Sequence, residues 1–124
     1  MTSATRKVLV VDDDARNRKL METQLRASGY EVRCVDSGPA ALQAVADEAP
    51  DVVVADLMMP AMDGFELVRR LKADPATSRI PVVMVTAIDD EASRARLSAA
   101  GVSEVLVKPV DRWRLDTCLE KLLP

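Results

Sequence analysis

Four short runs are apolar almost throughout: residues 8–11, 52–55, 82–85 and 105–107. Each is rich in β-branched residues and too short for a helix, so each reads as a strand. Strands without polar alternation imply burial on both faces, as in a parallel sheet covered by helices. A fifth segment, residues 30–35, alternates apolar with polar and suits a sheet edge with one face more exposed. Helical stripes lie between the strands: Leu20, Met21 and Leu25; Ala41, Leu42, Val45 and Ala46; Leu67, Val68 and Leu71; a narrow, small-faced set of Ala92, Ala95, Ala99 and Ala100; and Leu115, Cys118, Leu119 and Leu122. Pro39 suits a first helical turn. Asp89, Asp90 and Glu91 suit the positive start of the fourth helix, and Gly101 its end.

Strand then helix, five times over, predicts right-handed βαβ units and an α/β fold with helices on both sides of a parallel sheet. The chain has 124 residues, which suits one domain spanning 1–124 with a core over about 7–122. Apolar residues make up 48 % and charged residues 30 %, a balance that folds and stays in solution. Net charge is −3 and the basic residues are dispersed, which argues against a nucleic-acid surface of its own. No apolar run reaches the ~20 residues of a membrane span. Residues 1–7 lack the apolar stretch of a secretory leader, so the cytoplasm is the expected location. Cys34 and Cys118 lie far apart, outside any CxxC spacing, and read as packing residues rather than a disulfide. The chain has no histidine, which removes histidine-based nucleophile systems and histidine metal sites.

In an open parallel sheet, chemistry gathers at the carboxyl ends of the strands. This sequence places Asp12, Asp13 and Asp14 after the first strand, Asp56 at the third, Thr86 at the fourth, and Lys108 and Pro109 at the fifth. Converging carboxylates repel one another, and a hard divalent cation relieves that repulsion. Mg²⁺ prefers oxygen ligands and takes few protein carboxylates; Mn²⁺ is a possible substitute. Asp12, Asp13 and Asp56 suit such a site, with the Met58 carbonyl to complete it. A carboxylate beside Mg²⁺ can attack phosphorus, and a lysine and a hydroxyl can stabilise the transferring group. Lys108 and Thr86 are residues of those types.

Taken together, Val10-Val11-Asp12-Asp13-Asp14, Asp56-Leu57-Met58-Met59-Pro60, Asp63-Gly64, Thr86-Ala87 and Val107-Lys108-Pro109 resemble the signature of bacterial two-component response-regulator receiver domains. The resemblance covers about residues 7–122. It implies a doubly wound five-stranded sheet of order 2-1-3-4-5, a known property of that fold rather than something periodicity reveals. It also implies that Asp56 accepts a phosphoryl group from a histidine kinase or phosphotransfer protein. Asp12 and Asp13 would hold Mg²⁺, Thr86 and Lys108 would contact the phosphoryl group, and the Lys108–Pro109 bond would be cis. An output domain or a second copy would dock on the face of helix four, strand five and helix five.

Each residue also has a plainer reading. Asp14 suits the first helix's N-terminus better than the metal. Gly64 reads as backbone freedom near a helix start. Met58, Met59 and Met62 read as a soft apolar cluster. Trp113 lies off the fifth helical stripe, as a half-covered surface ring or a partner contact. Two departures from the family matter. Val105 stands where many receivers carry a switching Tyr or Phe. Met58 and Ile88, which flank the phosphoryl group in the family, are apolar and cannot hydrogen-bond a water. Two other classes compete: a pseudo-receiver that binds partners without phosphorylation, and a flavodoxin-like cofactor protein or hydrolase. The intact acidic, Thr and Lys set argues against the first. The acidic, glycine-free loop after strand one argues against the second.

Overall fold

A computed structural model describes residues 5–123. Along it run β1 (Lys7–Val11), α1 (Ala15–Ala27), β2 (Glu31–Val35), α2 (Gly38–Asp47), β3 (Val52–Asp56), α3 (Gly64–Ala73), β4 (Val82–Thr86), α4 (Glu91–Ala100), β5 (Glu104–Val107) and α5 (Arg112–Leu122). All pairings are parallel, in the order β2-β1-β3-β4-β5. The expected α/β fold, doubly wound and five-stranded, is the one observed. The reading of residues 1–4 and of Pro124 lies outside the described residues.

Alternate residues of the central strands feed two separate cores. Leu9, Val11, Val53, Ala55, Val82 and Met84 join the side chains of α2, α3 and α4. Val8, Val10, Val52, Val54, Val83 and Val85 join Leu25 of α1 and Leu115, Cys118 and Leu119 of α5. This is why β1, β3 and β4 are apolar without alternation: both faces are covered. The edge strand β2 buries Val32 and exposes Glu31 and Arg33, as its alternation predicts.

Two expectations need correction. The apolar run at 105–107 suggests burial on both faces, but β5 is the second edge and only Leu106 is buried. An edge strand has one neighbour, and its side chains are covered less completely. In α4 the alanines do not form the buried stripe: Ala92, Ala95 and Ala99 are exposed, and Leu97 is buried with Ala100 packed beside it. Burying a leucine contributes about 1.5–3 kcal/mol, against about 0.8 kcal/mol per methylene-sized group, so one leucine sets the helix's rotation over several alanines. Smaller shifts of the same kind occur in α1, where Leu20 is exposed, and in α2, where Ala44 rather than Ala46 is buried.

Side chains set the helix starts. Asp14, Asp63, Asp90 and Asp111 cap α1, α3, α4 and α5, and Ser37 caps α2. Each accepts from backbone N–H groups that the first turn leaves without a helical partner. Gly101 ends α4 with φ 105°, a left-handed conformation that glycine adopts without a Cβ penalty. Asp14 is thus a cap, as expected.

Gly64 plays a different part from the one its position suggests. It is not among the positive-φ glycines. A Cβ there would stand 2.7 Å from Met84 Sδ and 2.9 Å from Leu57 Cα. The residue is small because α3 starts hard against the end of β3, where its N–H donates to the Leu57 carbonyl at 2.8 Å. Gly64→Ala is therefore expected to destabilise the fold by about 1–3 kcal/mol, the usual range for overpacking. Urea denaturation checks this; an unchanged midpoint would show that Leu57 and Met84 move aside freely.

Candidate functional site

The parallel register places the site. Val11 pairs with Ala55, so the next residues along β1 and β3, Asp12 and Asp56, emerge side by side. Both are buried, at 4 % and 9 % exposure, while Asp13 is exposed. One carboxylate oxygen from each of Asp12, Asp13 and Asp56 lies within 4.8 Å of the others. Among the described residues this is the one such acidic, His or Cys group.

Each buried carboxylate is oriented. Asp12 Oδ1 accepts from the Asp14 N–H at 2.9 Å, and its backbone carbonyl accepts from Arg18 Nη1 at 2.9 Å. Asp56 Oδ1 accepts from the Met58 N–H at 3.3 Å, and Lys108 Nζ donates to Oδ2 at 3.4 Å. Burial, above all, holds the Asp12 carboxyl above the ordinary carboxylate range. The Asp14 N–H pulls it back, Asp56 pushes it up, Lys108 lowers it and Asp13 raises it.

Thr86 closes β4 and is 1 % exposed. Its Oγ1 accepts from the Ile88 N–H at 3.0 Å, and its carbonyl accepts from the Lys108 N–H at 2.8 Å. The ends of β4 and β5 are thereby tied together beside Asp56, and the Lys108–Pro109 bond is cis. The structure thus brings together Asp12, Asp13, Asp56 and Lys108, with Thr86 at the adjoining strand end. Met58 reaches the site through its backbone, and its side chain is 63 % exposed. Met59 is buried and Met62 partly buried, so the methionine cluster is only in part a packing element.

Arg18 was not singled out from the sequence. Its contact with Asp12 joins α1 to the end of β1, and no local motif announces it. A groove of about 370 Å³, lined in part by Leu20, Met21, Lys108 and Pro109, opens beside Asp12. Trp113 is 75 % exposed, more than a half-covered ring. Cys118 is buried, and burial pushes its thiol up to about 11; Cys34 is partly buried and its thiol is also raised by burial. Both fit packing roles. Among the described residues no helix is long and apolar enough to cross a membrane.

The donor set fits a small, hard divalent cation. It offers carboxylate oxygens alone, two of them buried and crowded, and the upward displacement of Asp12 is what an added positive charge would relieve.

The family model for the response regulator receiver domain matches residues 8–120. Response regulator PleD of Caulobacter vibrioides is 46 % identical over 105 residues, 85 % of this chain and 23 % of PleD. Transcriptional regulatory protein GltR of Pseudomonas aeruginosa is 35 % identical over 99 % of this chain and 51 % of its own length. The chain thus spans about a quarter to a half of these relatives. Chemotaxis protein CheY4 of Vibrio cholerae superposes with a TM-score of 0.92 at 32 % identity, covering 97 % of this chain and all of that one. The receiver domain of the Pseudomonas aeruginosa sensor histidine kinase PA1611 was solved with a magnesium ion coordinated in its active-site cleft. It superposes with a TM-score of 0.88 at 28 % identity, over 96 % of this chain and 98 % of that one. With the fold, the strand order and this likeness in agreement, the chain belongs to the response regulator receiver domain family.

Proposed function

We propose that this receiver accepts a phosphoryl group on Asp56 from a histidine kinase or phosphotransfer protein, and that Asp12, Asp13, Asp56 and the Met58 carbonyl hold Mg²⁺, with Mn²⁺ as a substitute. The observation that carries the reading is Lys108 Nζ, 3.4 Å from Asp56 Oδ2, while the carboxylates of Asp12 and Asp13 crowd the same place. A lone strand-end aspartate has no need of that arrangement.

An Asp56 oxygen attacks phosphorus as the bond from phosphorus to the donor's imidazole nitrogen breaks. The imidazole departs with the electron pair. Lys108 orients Asp56 through their 3.4 Å contact, and its ammonium then balances charge on the phosphoryl oxygens. The Thr86 hydroxyl supplies a second donor from the end of β4. Held by Asp12, Asp13, Asp56 and the Met58 carbonyl, a divalent cation would supply further charge neutralisation. The domain catalyses only its own phosphorylation and dephosphorylation. The groove beside Asp12, with Leu20 exposed at its rim, offers the donor protein an apolar contact next to the acceptor. The face of α4, β5 and α5, which carries Trp113, serves an output domain or a second copy. With Val105 in place of an aromatic, we expect only a modest rearrangement there. We take residues 1–124 as one domain acting in the cytoplasm.

Intact-mass measurement with acetyl phosphate and Mg²⁺ tests the reading. Uptake of one phosphoryl group is expected; its absence, with partner binding intact, would favour the pseudo-receiver.

The phosphorylated state is expected to be long-lived. Hydrolysis needs a water in line with the leaving carboxylate, and the Met58 and Ile88 side chains offer it no good acceptor. Met58→Asn or Ile88→Lys should shorten the lifetime by about tenfold, below the ~10²–10⁴ of a fully positioned proton-transfer group. Decay at the wild-type rate in every variant would remove these side chains from control of the lifetime.

A further inference from the structure

The described methionines differ sharply in exposure, and the exposed one lies two residues from Asp56. Met58 is 63 % exposed. Met59 is 8 % exposed and Met84 is fully buried, while Met21 and Met62 are partly buried. Among the described residues Met58 is therefore the thioether most open to a dissolved oxidant. Its own N–H donates to Asp56 Oδ1 at 3.3 Å, which ties its backbone to the acceptor carboxylate. Oxidation at this residue therefore changes chemistry beside Asp56 and disturbs little of either core.

We propose that Met58 is a peroxide-sensitive modification site whose oxidation to the sulfoxide shortens the life of the phosphorylated state; this rests on Asp56 being the acceptor. In the oxidation, a sulfur lone pair attacks one oxygen of hydrogen peroxide. The S–O bond forms, the O–O bond breaks, and the proton on the incoming oxygen passes to the departing hydroxide, giving water. Sulfur is oxidised by two electrons and peroxide is reduced by two. A thioether sulfur is a weak hydrogen-bond acceptor, whereas a sulfoxide oxygen is polar and strong. The exposed side chain changes from a thioether that holds water poorly to a polar group able to hold one, two residues along the chain from Asp56. Methionine sulfoxide is reversible by reductases, so the change can be undone.

The test uses the full chain. Treat it with a low concentration of hydrogen peroxide, map the added oxygen by peptide mass spectrometry, then phosphorylate with acetyl phosphate and Mg²⁺ and follow decay by intact mass. The expected result is oxidation first at Met58 and decay faster by about tenfold, a modest fraction of the ~10²–10⁴ available to positioned groups. Treatment with methionine sulfoxide reductase should restore the slow decay. In Met58→Leu the lifetime should be the same before and after peroxide, and Met58→Gln should decay fast without peroxide. Oxidation of Met58 with unchanged decay, or preferential oxidation of another described methionine, overturns the inference while the acceptor assignment stands. Failure of the reduced protein to take up phosphate at all removes the acceptor assignment, and this inference with it.

Discussion

Phosphoryl uptake from acetyl phosphate and Mg²⁺ is expected to fall to background in Asp56→Asn. Asparagine matches the size of the buried side chain and can still accept from the Met58 N–H, so the end of β3 should keep its shape. It cannot offer an anionic oxygen to phosphorus. Neither neighbour is placed to substitute. Asp12 is buried and held by the Asp14 N–H, Asp13 is exposed, and neither has the Lys108 contact that Asp56 has. The variant also removes one of three crowded carboxylates, so its apo form should unfold no more readily than the wild type despite losing the Lys108 ion pair. Intact mass reads the phosphoryl group and thermal melting reads the fold. Labelling of Asp56→Asn equal to that of the wild type would take Asp56 out of the mechanism.

Loss of one metal-facing carboxylate should be almost as severe. Asp13→Ala is expected to weaken Mg²⁺ binding by about 100-fold or more, since even partners behind the ligands are typically worth 10–100-fold. In the wild type, Mg²⁺ at 100 times its Kd should stabilise the fold by about 2.7 kcal/mol. That increment should nearly vanish at the same concentration in the variant. Asp12→Asn adds a test of sign. The folded-state pKa of Asp12 is raised, so its ionisation costs stability as pH rises through that value, and the apo wild type gains stability as pH falls back toward the ordinary carboxylate range. Without metal at neutral pH, Asp12→Asn should therefore melt higher than the wild type, and mild acid should close the gap. With saturating Mg²⁺ the order should reverse. Isothermal titration with Mg²⁺ and melting at two pH values check both claims; unchanged affinity in Asp13→Ala would place the cation elsewhere.

The central sheet and the site were readable because each is written in residue types that permit few alternatives. Runs such as Val52-Val53-Val54 have no stable home except between two apolar layers, and the two cores confirm it. Asp12 and Asp56 follow β1 and end β3, and meet because those two strands are parallel neighbours in the sheet. What remained hidden depends on neighbours that the chain meets only after folding. The run at 105–107 looks like its interior counterparts, and nothing local says that one flank of β5 stays open. The face of α4 was misjudged because alanine carries too little area to declare an orientation, whereas Leu97 does. Gly64 gave no sign of its tight approach to Leu57 and Met84, since crowding of that kind has no local pattern. Arg18 reaches the Asp12 carbonyl across a turn whose geometry the sequence leaves unstated.

The aspartate caps have an effect beyond the helices they start. Because every strand runs the same way, all five helices begin on the rim that holds Asp56, and four of them begin with an anionic side chain. Together with Asp12 and Asp13, these charges give that rim a negative potential that extends well beyond contact distance. An anionic small phosphodonor approaches against this potential, while a donor protein presenting basic side chains is drawn along it. The screening length falls from ~30 Å at 0.01 M salt to ~8 Å at 0.15 M. Added salt should therefore speed the first encounter and slow the second, a bias in favour of protein donors that requires no specific contact.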